Sequence, residues 1–380
     1  MIQQKFGNYP NNYMSTQDIL SRAHAKTEVK LYSDALRILK PLRKQLAITQ
    51  NLDLLQTFAD CYMETNKIEK AYELLVRLAE LDPQGEGTGN DKFYILGQIV
   101  GGVQGLNYIT QGIQNMSVNK ETLTEAEVEK IVSGLLTMID IWMTDLCMEE
   151  NAEAQCEELV NKAMEFSNQQ SPEVWSVLGS IRISQQRFNE AGECFLNAWK
   201  YFQVKKQYVE SLLEEGKMDH DQYMELVQPL LNCSKMCIEM GLYDISLDIL
   251  NSTKDIDEDN LEALYLEGFT NYLKAKVIQL ALEIQTPEQF YEFNTHIEES
   301  KLQADDKKIE DLVYDAKVAF SMLVKLGENV DSDEIVSELV AGSKSILLNE
   351  LGGPIDDKEL MEIRKGAEVI GDEQIELTAE

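Results

Sequence analysis

Apolar residues recur at three- and four-residue spacing along almost the whole chain, and only seven prolines interrupt them. That period stacks apolar side chains on one helix face, so the chain reads as helical throughout. A longer period lies over the short one. A small residue is followed twelve positions later by another small residue, and four beyond that by an apolar one. Ala23, Ala35 and Leu39 fit, as do Ala59, Ala71 and Leu75; Thr144, Cys156 and Val160; Gly179, Ala191 and Phe195; Ser234, Ser246 and Leu250. Two small side chains let paired antiparallel helices approach, and the apolar residue fills the space beside them.

This is the skeleton of the tetratricopeptide repeat, a helix pair of about 34 residues. The predicted fold is all-α: a tetratricopeptide-repeat superhelix, or α-solenoid, of about six to seven repeats. It would span residues 16–350, between a flexible N-terminal tail (1–15) and an acidic C-terminal tail (351–380). Two helical insertions break the spacing. One is the charged stretch Lys205 to Glu225; the other lies near 285–305, where Thr286-Pro287-Glu288-Gln289 spells a capping box with proline at the first helical place. After Asp331, "DEIVSELVAGSKSILLNEL" reads as a capping helix over the last apolar face.

The run "GTGNDKFYILGQIVGGVQGL" is rich enough in glycine to raise the question of phosphate binding. It lacks the spacing and the Lys-Ser or Lys-Thr pair of a phosphate loop. In repeat register, Gly97 is the close-contact residue of a first helix, and Gly101, Gly102 and Gly105 serve a tight turn into a second helix. The residue twelve positions on is Ile109, so that repeat is expected to be irregular.

Composition narrows the chemistry. The 380 residues carry 67 Asp plus Glu against 34 Lys plus Arg, a net charge of −33. This disfavours nucleic acid or a membrane surface as direct partner and favours something basic. Six cysteines without a CxxC pair argue for a reduced compartment and against zinc. No apolar leader is seen in "MIQQKFGNYPNNYMS", and the apolar stretch Ile131 to Leu146 is broken by Asp140, so a soluble protein is expected. His24, His220 and His296 are scattered. Asp255, Asp257 and Asp259 imitate the start of a calcium loop, but Asn260 and Leu266 stand where glycine and a bidentate glutamate are needed. The expectation is no enzyme, no metal and no cofactor.

The informative carboxylates are on predicted first helices, whose ninth and thirteenth places would line the groove. Asp60 and Glu64 occupy these places in one repeat, and Asp145 and Glu149 in another; Glu28 and Glu239 add acid at the thirteenth alone, while Lys235 at a ninth place runs against the pattern. Like charges four apart on a helix face cost a few tenths of a kcal/mol, about 0.2–0.5. A groove that repeats this cost suits a cationic guest. The candidate partner-binding set is Glu28, Asp53, Asp60, Glu64, Tyr94, Asp145 and Glu149, with Tyr94 packing on apolar or guanidinium parts of the guest. The lysines and asparagines with which tetratricopeptide co-chaperones clamp heat-shock C-termini are missing: the fifth places are Leu20, Gln56, Ile141, Ser176 and Leu231.

The segments "AYELLVRLAELDPQGEGTGNDKFYILGQIVGG" and "IWMTDLCMEENAEAQCEELVNKAME" are not generic repeat consensus. Over Leu52 to Ala198 the chain resembles the dedicated assembly chaperones of large-subunit ribosomal protein four. The resemblance implies a non-catalytic holdase for that basic client. It would act in cytoplasm and nucleus and reach nuclear import factors through the client, with no direct nucleic acid or membrane contact. The competing reading is a generic tetratricopeptide scaffold or heat-shock co-chaperone that binds peptides through apolar contacts.

Overall fold

The structure is a computed structural model, and it describes residues 14–117, 122–280, 284, 286–296, 300–328 and 334–365. Of the expected tails, residues 1–13 and 366–380 lie outside the described residues, as do parts of the second insertion. The described residues contain helices and turns and no strand. They form two compact units, Met1–Ser167 and Asn168–Glu380. No helix among them is long and apolar enough to cross a membrane.

In the first unit, α1 (Thr16–Thr27) pairs with α2 (Tyr32–Leu39), α3 (Leu52–Glu64) with α4 (Ile68–Leu81), α5 (Asp91–Val100) with α6 (Gly102–Ser117), and α7 (Glu125–Met143) with α8 (Ala152–Phe166). Helix starts follow local chemistry. Ser15 and Thr124 close capping boxes with Asp18 and Glu127, and Asn51 accepts from the Leu54 N–H; each such cap contributes about 1 kcal/mol. The small residues meet as the period predicts: Ala23, Ala35, Ala59 and Ala71 are fully buried, beside Leu39 and Leu75.

The second unit comprises α9 (Pro172–Ser184), α10 (Phe188–Glu214), α11 (His220–Met224), α12 (Val227–Glu239), α13 (Tyr243–Lys254), α14 (Leu261–Gln279), α15 (Pro287–Thr295), α16 (Glu310–Gly327) and α17 (Glu334–Asn349). Helices α9 and α10, α12 and α13, and α14 and α16 form its antiparallel pairs. A Cβ on Gly179 would come within 2.6 Å of the Phe195 ring, and one on Gly268 within 2.9 Å of Phe320. Ser234 and Ser246 do more than approach: their hydroxyls bond at 2.8 Å in the core. The stretch Lys205–Glu225 becomes the C-terminal part of α10 followed by α11, joined by a Tyr223 hydroxyl to Glu210 bond of 2.7 Å.

Two expectations need correction. Thr144 is not inside a first helix. α7 stops at Met143, and residues 144–151 form a turn. The start of the predicted acidic tail is also folded. After Gly352–Gly353 the chain turns back, Ile355 N–H bonds Ser321 Oγ at 3.1 Å, and residues 357–365 are helical. Leu351 and Leu360 are 0% and 2% exposed, and burying two leucines outweighs the charge around them.

Candidate functional site

The first unit's carboxylates fall into two groups that differ in what satisfies them. Those at the corners between helices are held by backbone donors. Asp82, at the end of α4, accepts from the N–H groups of Glu86 (2.9 Å), Gly87 (3.2 Å) and Thr88 (2.9 Å), and from the Thr88 hydroxyl at 3.0 Å. Lys92 completes the knot: its Nζ is 3.0 Å from Asp82 Oδ2 and also donates to Thr88 Oγ1 and the Gly89 carbonyl. Burial by itself would raise the Asp82 carboxyl; the bonds from Lys92 and Thr88 outweigh it and bring it down to about 2. The glycine-rich segment is thus a loop wrapped around a carboxylate of its own chain.

Asp145 is the second corner carboxylate. It was expected on a helix face, at a groove-lining place. It lies instead in the 144–151 turn, and its Oδ2 accepts from the Gly102 N–H at 2.8 Å, at the first residue of α6. Free N–H groups at a helix start attract a carboxylate, and this one draws the chain out of α7. Gly101 is required twice over. Its φ is +63°, and a Cβ there would collide with Asp145 Oδ2. Glu149 lies in the same turn, exposed, so the expected Asp145–Glu149 pair on one helix face does not exist.

The second group lies on helix faces. Asp60, in the middle of α3, accepts from Gln56 Nε2 at 2.6 Å. Burial is the largest influence on its carboxyl and raises it; the Gln56 bond opposes this, while the charges of Glu64 and then Asp91 add to it. Glu64, the last residue of α3, is exposed. The field of His24 on α1 also reaches Asp60, so α1, α3 and α5 present these groups to a common region. Asp91 escaped the sequence reading because it falls in the first turn of α5, where an acid is sufficiently explained by the helix dipole. It pairs with Lys130 Nζ at 2.6 Å.

Other candidates have different surroundings. Asp53 sits 3.1 Å from His24 Nε2, which is also 2.9 Å from Thr57 Oγ1, so its charge faces an internal partner. Glu28 is exposed at the end of α1. Tyr94 was expected to meet the guest, but its ring packs against Gly112 of α6 and Gly134 of α7. Burial, then the Asp91 charge, raise its hydroxyl, which is enclosed without a hydrogen-bond partner. In the second unit, Lys235 pairs with Glu262, and burial raises the Glu239 carboxyl. Among the described residues no group of three His, Cys, Asp or Glu side chains is placed to hold a metal ion.

Comparison with known proteins gives this site a context. Residues 259–374 match a family described as the ACL4 C-terminal domain. A protein of Emericella nidulans named "Probable assembly chaperone of rpl4" is 27% identical over 237 residues, which are 60% of this chain and 56% of that protein. A Schizosaccharomyces pombe protein of the same name is 25% identical over 196 residues, 50% of this chain and 54% of that one. The chain therefore spans about half the length of these curated relatives. A solved structure titled "Assembly Chaperone of RpL4 (Acl4) (Residues 1-338)" superposes with a TM-score of 0.51 at 21% identity, over 70% of this chain and 99% of that one, which supports the shared fold. The chain is thus similar in sequence and in fold to the assembly chaperones of Rpl4, and its residues 259–374 carry the match to the ACL4 C-terminal domain.

Proposed function

We propose that the chain is a dedicated ribosome-assembly chaperone. In this reading the acidic face of the first unit holds the basic, extended loop of newly made ribosomal protein four of the large subunit. It keeps that loop soluble until it is incorporated into pre-60S particles. The observation that carries the reading is Asp60: a carboxylate left partly buried beside Glu64 and Asp91 with one amide as its hydrogen-bond partner. Such a group is disfavoured in the free protein and is relieved by an incoming ammonium or guanidinium. The net charge of −33 draws a cationic guest from a distance and sets its encounter rate. The relatives' names supply the client. The role is non-catalytic and needs no cofactor, with residence in cytoplasm and nucleus and import factors met through the client.

Glu64 and Asp60 are the principal contacts, with Asp91 added and Glu28 at the margin; Asp145, Glu149 and Tyr94 are left out. The test is co-purification of the tagged chain from cells, scored by mass spectrometry. The expected result is one basic ribosomal protein in near-stoichiometric amount. Recovery of heat-shock proteins through their C-termini instead would favour a generic co-chaperone and overturn the reading.

A further inference from the structure

A cleft of about 170 Å³ opens in the second unit between α16 and the helix at 357–365. Its walls are Met322 and Leu326 of α16, and Leu360 and Met361 of the later helix; Lys325 and Arg364 stand at its rim. Met361 is 51% exposed, although its neighbour Leu360 is almost fully buried. We propose that the chain's own C-terminal segment covers this cleft, with Val369 and Ile370 seated between Leu326 and Met361. Three observations select this occupant over another protein.

The first is reach. The described chain ends at Lys365, one residue past the rim residue Arg364, and fifteen residues follow. Gly366 comes directly after the last helical residue, the usual place for a glycine that ends a helix and reverses the chain. From such a reversal, four extended residues span ~13 Å, whereas Leu360 to Lys365 rises only ~7.5 Å along the helix. Ile370 can therefore return to Leu360. The second is complementarity. The segment pairs apolar Val369 and Ile370 with Glu368, Asp372 and Glu373, and it contains no Lys or Arg. The cleft offers apolar walls and a cationic rim in a chain that is otherwise strongly acidic. The third is domain extent: the family match runs to residue 374, nine positions beyond Lys365, so the recurring domain includes Val369 and Ile370.

The test compares hydrogen exchange of the full chain with that of a chain stopped after Lys365 and with a full-length V369D/I370D variant. Both changes are expected to speed exchange of amides 322–327 and 358–365 at least tenfold, while α12 is unaffected. A second arm introduces M361C and I370C in a C147S background, since Cys147 is the exposed native cysteine. Under mild oxidation these should join within one chain. Unchanged exchange in the shortened chain would overturn the proposal, as would a cross-link that forms only between two chains, which would make a second copy the occupant. If α12 also loosens in both altered chains, the intramolecular cross-link decides: its absence overturns the assignment.

Discussion

Asp145 and Asp60 look alike in the sequence, each followed four residues later by glutamate, yet they lie in two different kinds of place. Asp145 belongs to a corner, where a helix start supplies a backbone N–H, and it holds the fold together. Asp60 belongs to a helix face, where all backbone donors are used inside the helix, and a side-chain amide is what reaches it. Availability for a guest therefore depends on the backbone around an acid more than on its spacing. Corner acids stabilise; face acids are left for others.

Changes at the corner should be felt in stability. Gly101→Ala forces a Cβ into Asp145 at positive φ, and should cost about 2–4 kcal/mol in urea unfolding. Asp82 gives the corner a pH signature. Its folded carboxyl at about 2 lies below the unfolded value of 3.8, so its contribution is fully present above that value and is lost as pH falls through about 2. By linkage this amounts to about 2 kcal/mol. The stability gap between the wild type and Asp82→Asn should accordingly narrow between pH 4 and pH 2.

Changes on the face should be felt in binding. Reversing both acids, Asp60→Lys with Glu64→Lys, should weaken the Rpl4 loop more than about tenfold, or ~1.4 kcal/mol, and flatten the salt dependence seen by calorimetry. Asp145→Ala should do the opposite, losing about 1 kcal/mol of stability with the loop affinity unchanged. An equal loss of affinity in both variants would erase the distinction between corner and face. The smallest effect is the most specific. Asp60→Asn keeps the oxygen that accepts from Gln56 but removes a buried charge facing Glu64, so it should stabilise the free protein by a few tenths of a kcal/mol, about 0.2–0.5, while weakening the complex.

The helix pairs were legible because their signal is repeated: small residues twelve apart recur, and four of the five triplets that carried the reading sit as predicted. The fifth failed for a local reason. The segment around Thr144 has apolar periodicity suited to a longer α7, but the Gly102 N–H, 43 residues away, competes for Asp145. A tertiary bond of this kind leaves no periodic trace. Tyr94 was misassigned for a related reason. The slot that receives its ring is made by Gly112 and Gly134, and nothing near Tyr94 in the sequence announces them. The fold of residues 351–365 was hidden by composition, since charge made a folded segment resemble a tail.

Lys92 has a practical consequence. It is 1% exposed, with its ammonium enclosed by Asp82, Thr88 and Gly89. Amine-reactive reagents used to map the client complex will find the surface lysines and pass this one by. Any adduct recovered on Lys92 therefore reports molecules whose α4–α5 junction had already come apart, which makes that single amine an internal gauge of sample integrity.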